Sequence, residues 1–181
     1  MQTRGNTTAP VNLIGGLEQL PGLGEKRSQR RLGDPYLRLQ LTPDTTAVLA
    51  TDDTQEVLVV PGFKLTVMPN MPNVVLGLLN HRNRVIWVID LPLLLGLPAL
   101  SLEVPQLTVA IIRPQGEKPL GLAVPQIRGL VRLEAEAIQS PVGTVAAGLI
   151  PYLCGCCLNH QEILLVLAAS AITQSLPDAS I

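Results

Sequence analysis

The chain has 181 residues, 47% of them apolar and 15% charged, with a formal net charge of −1 and only one Trp, two Tyr and one Phe. That apolar content can fill a buried core and excludes a chain disordered throughout; the length suits one domain or two small ones sharing a core. A near-neutral charge gives no field to hold phosphate backbones, and so few aromatics leave no platform for stacked bases, so nucleic acid is not an expected partner.

No stretch reads as membrane-spanning. Residues 85–100 are interrupted by Asp90 and Pro92, and residues 163–172 are too short to cross a bilayer. The first residues lack the continuous apolar core of a secretory signal. Three cysteines, Cys154, Cys156 and Cys157, do not make a disulfide framework. A reduced cytoplasmic setting without direct membrane insertion is the expectation.

Residues 1–33 are rich in Gly, Thr, Asn and Gln, with a basic cluster at Lys26, Arg27, Arg30 and Arg31. Their glycines and two prolines disfavour a helix, and a flexible tail is expected, serving as a solvated leader or as a docking or membrane-surface arm. From Tyr36 the texture changes. "YLRLQL" places Leu37, Leu39 and Leu41 on one strand face and Tyr36, Arg38 and Gln40 on the other. "TTAVLA" and "QEVLVV" follow as strands around the turn residues Asp52-Asp53, and Pro61-Gly62 precedes a further strand, "KLTVM". "PNMPN" is rigid and irregular, because each Pro lacks a backbone donor and biases its predecessor toward extended geometry.

Next comes "GLLNHRNRVIWVIDLPLLLGL", a hairpin broken by the polar group Asn80-His81-Arg82-Asn83, with a short helix at "LPLLL" ended by Gly96 and Pro98. "RVIWVI" is apolar on both sides, so both sides need cover. The second half continues with the strands "LTVAIIR", "LGLAV" and "IRGLVRL" and a helical turn at "EAEAI". A second hairpin in "CGCCLNHQEILLVLAASAI" passes into a helix-tolerant end. The two hairpins resemble each other, although Gly77 to Asn80 and Gly155 to Asn159 differ by one residue. About ten short strands and few helices predict an all-β fold with two similar halves.

Residues able to carry chemistry favour structural roles. His81 and His160, the only histidines, are expected in turns rather than as bases serving a nucleophile. Cys154, Cys156 and Cys157 alternate faces of one strand and cannot close on one ion with His160, so they read as small buried hydrophobes rather than as a metal site. Asp90 lacks the second carboxylate and the Asp-Thr/Ser-Gly turn of an aspartic protease, and no glycine-rich phosphate loop is present. No catalytic residue, cofactor or metal is expected.

The ordered set of motifs resembles the CheW-like family of chemosensory coupling proteins. "TQEVLVV" is similar to its Val-x-Glu-Ile strand, with Gln55 and Glu56 in place, and "VMPNMP" to its Leu-Pro-Asn-x-Pro turn. Gly77, Asn80, Arg82, Asp90, Leu91, Gly96 and Leu97 fall on the hairpin pattern, with Asn83 replacing the usual Gly; "PLGLAVPQIRGLV" and the final hairpin resemble the second half, where Pro125 and Val166 stand in place of Asp. The resemblance covers residues 35–173. It implies two intertwined, five-stranded barrel-like subdomains sharing an apolar core over residues 34–174, between the tail and a C-terminal tail, 175–181.

It also implies a non-catalytic adaptor joining the regulatory domain of a CheA-type histidine kinase to the cytoplasmic tip of a methyl-accepting receptor, in membrane-recruited arrays that control chemotaxis, phototaxis or pilus-based motility. The runners-up are a kinase-sequestering module without a receptor and a small β-barrel hydrolase. Partner binding is expected at Arg82, Asn80, His81, Asn83, Gln55 and Glu56, with Arg82 leading through charge-assisted bonds. Gly77 supports the site indirectly, by close backbone packing.

Overall fold

The computed structural model describes residues 33–176 apart from 142 and 144; the expected N-terminal tail lies outside the described residues up to 32, and the C-terminal tail from 177. Alternation in "YLRLQL" builds β1 (Asp34–Thr42), whose Leu37, Leu39 and Leu41 are all buried. It pairs antiparallel with β2 (Thr45–Ala50). A 3₁₀ turn at Asp52-Asp53 leads to β3 (Thr54–Pro61), and a second at Gly62–Lys64 leads to β4 (Leu65–Thr66). The expected strand "KLTVM" is thus only two residues long, cut off before the proline-rich segment that lacks donors.

The first hairpin is β5 (Val75–His81) with β6 (Arg84–Asp90), continued by α1 (Leu91–Leu94). β7 (Gln106–Ile112), β8 (Leu120–Val124) and β9 (Gln126–Leu133) follow. "EAEAI" forms a 3₁₀ turn at Ala135–Ala137. The second hairpin, β10 (Leu153–Asn159) with β11 (Glu162–Leu167), is continued by α2 (Ala169–Gln174).

Two sheets result, in the orders β10-β11-β2-β1-β9 and β3-β7-β8-β6-β5-β4. The all-β class with short helices and the two-unit plan hold; the sheets have five and six strands and neither closes its hydrogen-bond ladder into a barrel. Their plans match. Each runs from a hairpin (β10-β11 or β5-β6) through one parallel pairing (β11·β2 or β6·β8) to an antiparallel pair and an edge strand, β9 or β3. The halves are exchanged: β1-β2 of the first half lie in the sheet completed by β9–β11, and β7-β8 of the second in the sheet begun by β3–β6.

Burial follows this plan. Leu39, Leu49, Ile89, Leu91, Ile112 and Leu122 belong to one core fed by both sheets. A smaller cluster around Val60, Leu79, Val88 and Val109 belongs to the six-stranded sheet, and one around Val48, Leu133, Leu164 and Val166 to the five-stranded one. "RVIWVI" divides as its two-sided apolarity requires: Val88 enters its own sheet's cluster while Trp87 and Ile89 face the shared core. Val85 is the exception, 57% exposed beside the turn. At the C-terminal end of β6 the Asp90 carboxylate caps α1 through the Leu93 amide (2.9 Å) and takes the Leu100 amide (2.8 Å). Its burial is therefore satisfied and structural.

The one-residue mismatch between the hairpins disappears once they are aligned on their turns. The central turn residues are Arg82-Asn83 and His160-Gln161, all with positive φ (48°, 61°, 45° and 71°), as two-residue hairpin loops require. Measured from these turns, Gly77 and Gly155 are equivalent, and each adjoins a register shift. A Cβ on Gly77 would lie 2.5 Å from the Thr66 carbonyl oxygen, and one on Gly155 would lie 2.5 Å from that of Gln139. Gln139 makes a single antiparallel bridge to Cys156, the five-stranded sheet's counterpart of β4.

Gly77→Ala and Gly155→Ala should therefore each destabilise the fold by about 2–4 kcal/mol, since a backbone neighbour cannot swing aside. Gly62→Ala, with open space around it, should be near neutral. Chemical denaturation of the three variants checks this, and equal midpoints would contradict it.

Candidate functional site

The sequence places Glu56 on β3 and His81 at the end of β5, four positions apart in sheet order, yet Glu56 Oε1 lies 2.9 Å from His81 Nε2. The sheet therefore curls until its edge strand faces its own hairpin. Glu56 Oε2 also takes Arg82 Nη2 at 3.3 Å. Glu56 and His81 side chains are half-buried, whereas that of Arg82 is 77% exposed. An ion pair that open to water contributes roughly 0–1 kcal/mol, so stability is a weak reason for an arginine at this turn.

Of the expected site residues, Gln55, Glu56, His81 and Arg82 line one concavity of about 460 Å³, joined by Arg84, Ile86 and Pro119. Asn83 is the exposed second turn residue and Asn80 lies exposed opposite Val85. Gly77 lies buried at the far end of β5 against Thr66, away from this concavity. His81 is a strand residue and not a turn residue, which corrects the sequence expectation; the polar groups of the two hairpins are out of step, so only His160 occupies a turn.

His81 has a carboxylate partner, as a catalytic base would. The concavity contains no Ser, Thr, Cys or Tyr to act as its nucleophile. His160 is exposed. The cysteines need a correction too. Cys157 is buried among Val48, Leu164 and Val166, but Cys156 is only partly buried and Cys154 is exposed, because the strand alternates and in this stretch only the face of Gly155 and Cys157 is fully covered. Burial pushes the Cys154 thiol pKa up, with Asp53 adding to the effect, and burial does the same for Cys156. Both effects disfavour the thiolate that metal binding or attack would need. Among the described residues no group of three His, Cys, Asp or Glu side chains is placed to hold a metal ion.

The second hairpin carries different chemistry at matching positions. Where the first has Asn80 opposite Val85, the second has Leu158 opposite Ile163, 72% and 48% exposed. Its carboxylate, Glu162, turns inward to Arg38 (2.6 Å) and Thr46. The edge strands β3 and β9 also show apolar side chains: Val57 (43%) and Val59 (62%) on β3, and Leu130 (65%) on β9. Sequence reasoning did not single out Leu158, Ile163 or Leu130. Alternation alone does not reveal them: Ile163 shares the strand face of Leu165 and Leu167, which reach the shared core, and it is the place beside the turn that leaves Leu158 and Ile163 exposed.

The family model for the CheW-like domain matches residues 36–176. The structure is similar to the crystal structure of the scaffolding protein TtCheW from Thermoanaerobacter tengcongensis, with a TM-score of 0.66 and 19% sequence identity, over 75% of this chain and 89% of that one. At that identity the likeness concerns the fold. Comparison with curated proteins gives no match. No helix among the described residues is long and apolar enough to cross a membrane. With exchanged halves, paired left-handed hairpin turns and a family match over most of its length, the chain belongs to the CheW-like domain family.

Proposed function

We infer that this chain is a non-catalytic adaptor of chemosensory signalling, holding the regulatory domain of a CheA-type histidine kinase and the cytoplasmic tip of a methyl-accepting receptor together in an array that controls motility. The observation that carries this reading is the unlike chemistry of two equivalent hairpins on one core. One offers a charged tip, with Arg82 exposed above Glu56 and His81; the other offers the apolar pair Leu158 and Ile163. A protein that must hold two different partners at fixed separation needs two unlike surfaces and a stiff body between them.

The exposed edges support the same reading. β3 and β9 each present a full strand with apolar side chains and an unpaired side, suited to a partner built from similar strands. A kinase regulatory domain of CheW-like build would match them. Gln55, Glu56, His81, Arg82 and Asn83 form the polar contact region in this proposal, with Asn80 on its outer rim and Gly77 setting the path of β5.

Arg82→Ala should leave the unfolding midpoint within about 0.5 kcal/mol of the parent, because the side chain is exposed. It should weaken binding of kinase or receptor by about 1–3 kcal/mol, read by calorimetric titration of each purified partner. Unchanged affinity for both would remove Arg82 from the contact. The broader test is capture by the tagged full chain from extract of its own organism. Kinase and receptor recovered together is the expected result; kinase without receptor would favour sequestration instead.

A further inference from the structure

Charge in the concavity beside the first hairpin does not balance. Its lining includes two guanidinium groups, Arg82 and Arg84, but only one carboxylate, Glu56. Both Glu56 oxygens are engaged, Oε1 by His81 at 2.9 Å and Oε2 by Arg82 at 3.3 Å. Arg84 is the cross-strand partner of His81, and directly opposed residues of an antiparallel pair project from the same face. Arg84 therefore shares the face on which His81 meets Glu56. Among the described residues the arginine–carboxylate pairs are Arg38–Glu162 and Arg82–Glu56, and Glu56 also meets His81, which leaves Arg84 without a carboxylate.

We propose that this concavity is a carboxylate-binding cradle in which Arg84, together with Arg82, receives an acidic side chain of a protein partner. A guanidinium presents a planar fork of donors matched to a carboxylate, and here one stands in the tight turn and the other on the first residue of the strand that follows it, both lining the same concavity. The remaining lining narrows the occupant. Ile86 is buried and supplies an apolar floor with Pro119, while Gln55 adds an amide at the rim. A pocket of this kind suits a Glu or Asp side chain, methylenes against the floor and oxygens toward the arginines. It is a poor match for a flat anionic membrane or a nucleic-acid backbone, which would need cations spread along a surface. The identity of the partner rests on the adaptor reading above; the chemistry of the cradle does not.

The test is a two-dimensional NMR titration of the full chain with a glutamate decapeptide at low salt. The expected result is saturable shifts at the amides of Gln55, Glu56 and residues 81–86, lost on raising NaCl to about 0.5 M. Arg84→Glu should weaken the titration about tenfold or more, and Arg84→Lys, which keeps the charge but loses the fork, should weaken it by less, with unchanged thermal melts for both. Absence of shifts at these amides, equal shifts with a serine decapeptide, or an Arg84→Glu response like the parent's would each overturn the cradle. Shifts produced by inorganic phosphate but not by the peptide would overturn it as well, in favour of a phosphate site. A positive titration alongside failure to capture kinase or receptor would leave the cradle standing and sink the adaptor reading alone.

Discussion

Everything in this molecule depends on an apolar core that belongs to neither half of the chain. Leu37, Leu39 and Leu49 come from β1 and β2, Ile112 and Leu122 from β7 and β8, Ile89 from β6, and Leu165 and Leu167 from β11. Because each sheet takes strands from both halves, one half cannot come apart without opening the sheet of the other. Each fully buried leucine contributes on the order of 1.5–3 kcal/mol of transfer free energy, and these are spread across the contact between the sheets. The two hairpins are therefore fixed in one body and not carried on separate lobes.

On that body, similar backbones present different chemistry. Both hairpins need a glycine where another backbone segment passes within contact distance, and both use a left-handed two-residue turn without glycine. Non-glycine residues pay conformational energy for such turns. In the first hairpin that geometry lifts Arg82 away from the protein, with Glu56 and His81 behind it. In the second the carboxylate is drawn inward to Arg38 and Thr46, and what faces outward is leucine and isoleucine. Exposed ion pairs add little to folding, and exposed aliphatic pairs add less than buried ones. The chemistry at these tips is thus largely free of structural duty, the condition under which a contact surface can be specialised.

Much of this was legible in the residues. The period-two placement of Leu37, Leu39 and Leu41 gave the buried face of β1, and the two-sided apolarity of "RVIWVI" called for cover on both faces, which its own sheet's cluster and the shared core supply. The motif order gave the family. Intertwining of the two subdomains entered only through the family resemblance, because alternation reports which face is buried and not which strand lies alongside. The alignment of the hairpins failed by one residue for a related reason: Asn80-His81 and Asn159-His160 look alike as letters, but only positive φ at residues 82–83 and 160–161 shows where each chain turns. The contact of Glu56 with His81 arises from sheet curvature between strands that are not neighbours and leaves no trace in sequence periodicity; alternation did separate Cys157 from Cys154 and Cys156, but not which face would be covered.

The adaptor account stands or falls on whether two partners occupy this one body at the same time. Sedimentation velocity of the purified chain with a cognate kinase regulatory domain and receptor tip, singly and then all together, measures that directly. The account predicts a boundary faster than either binary complex and containing all three proteins. Mutual displacement, with each partner removing the other from the chain, would contradict it.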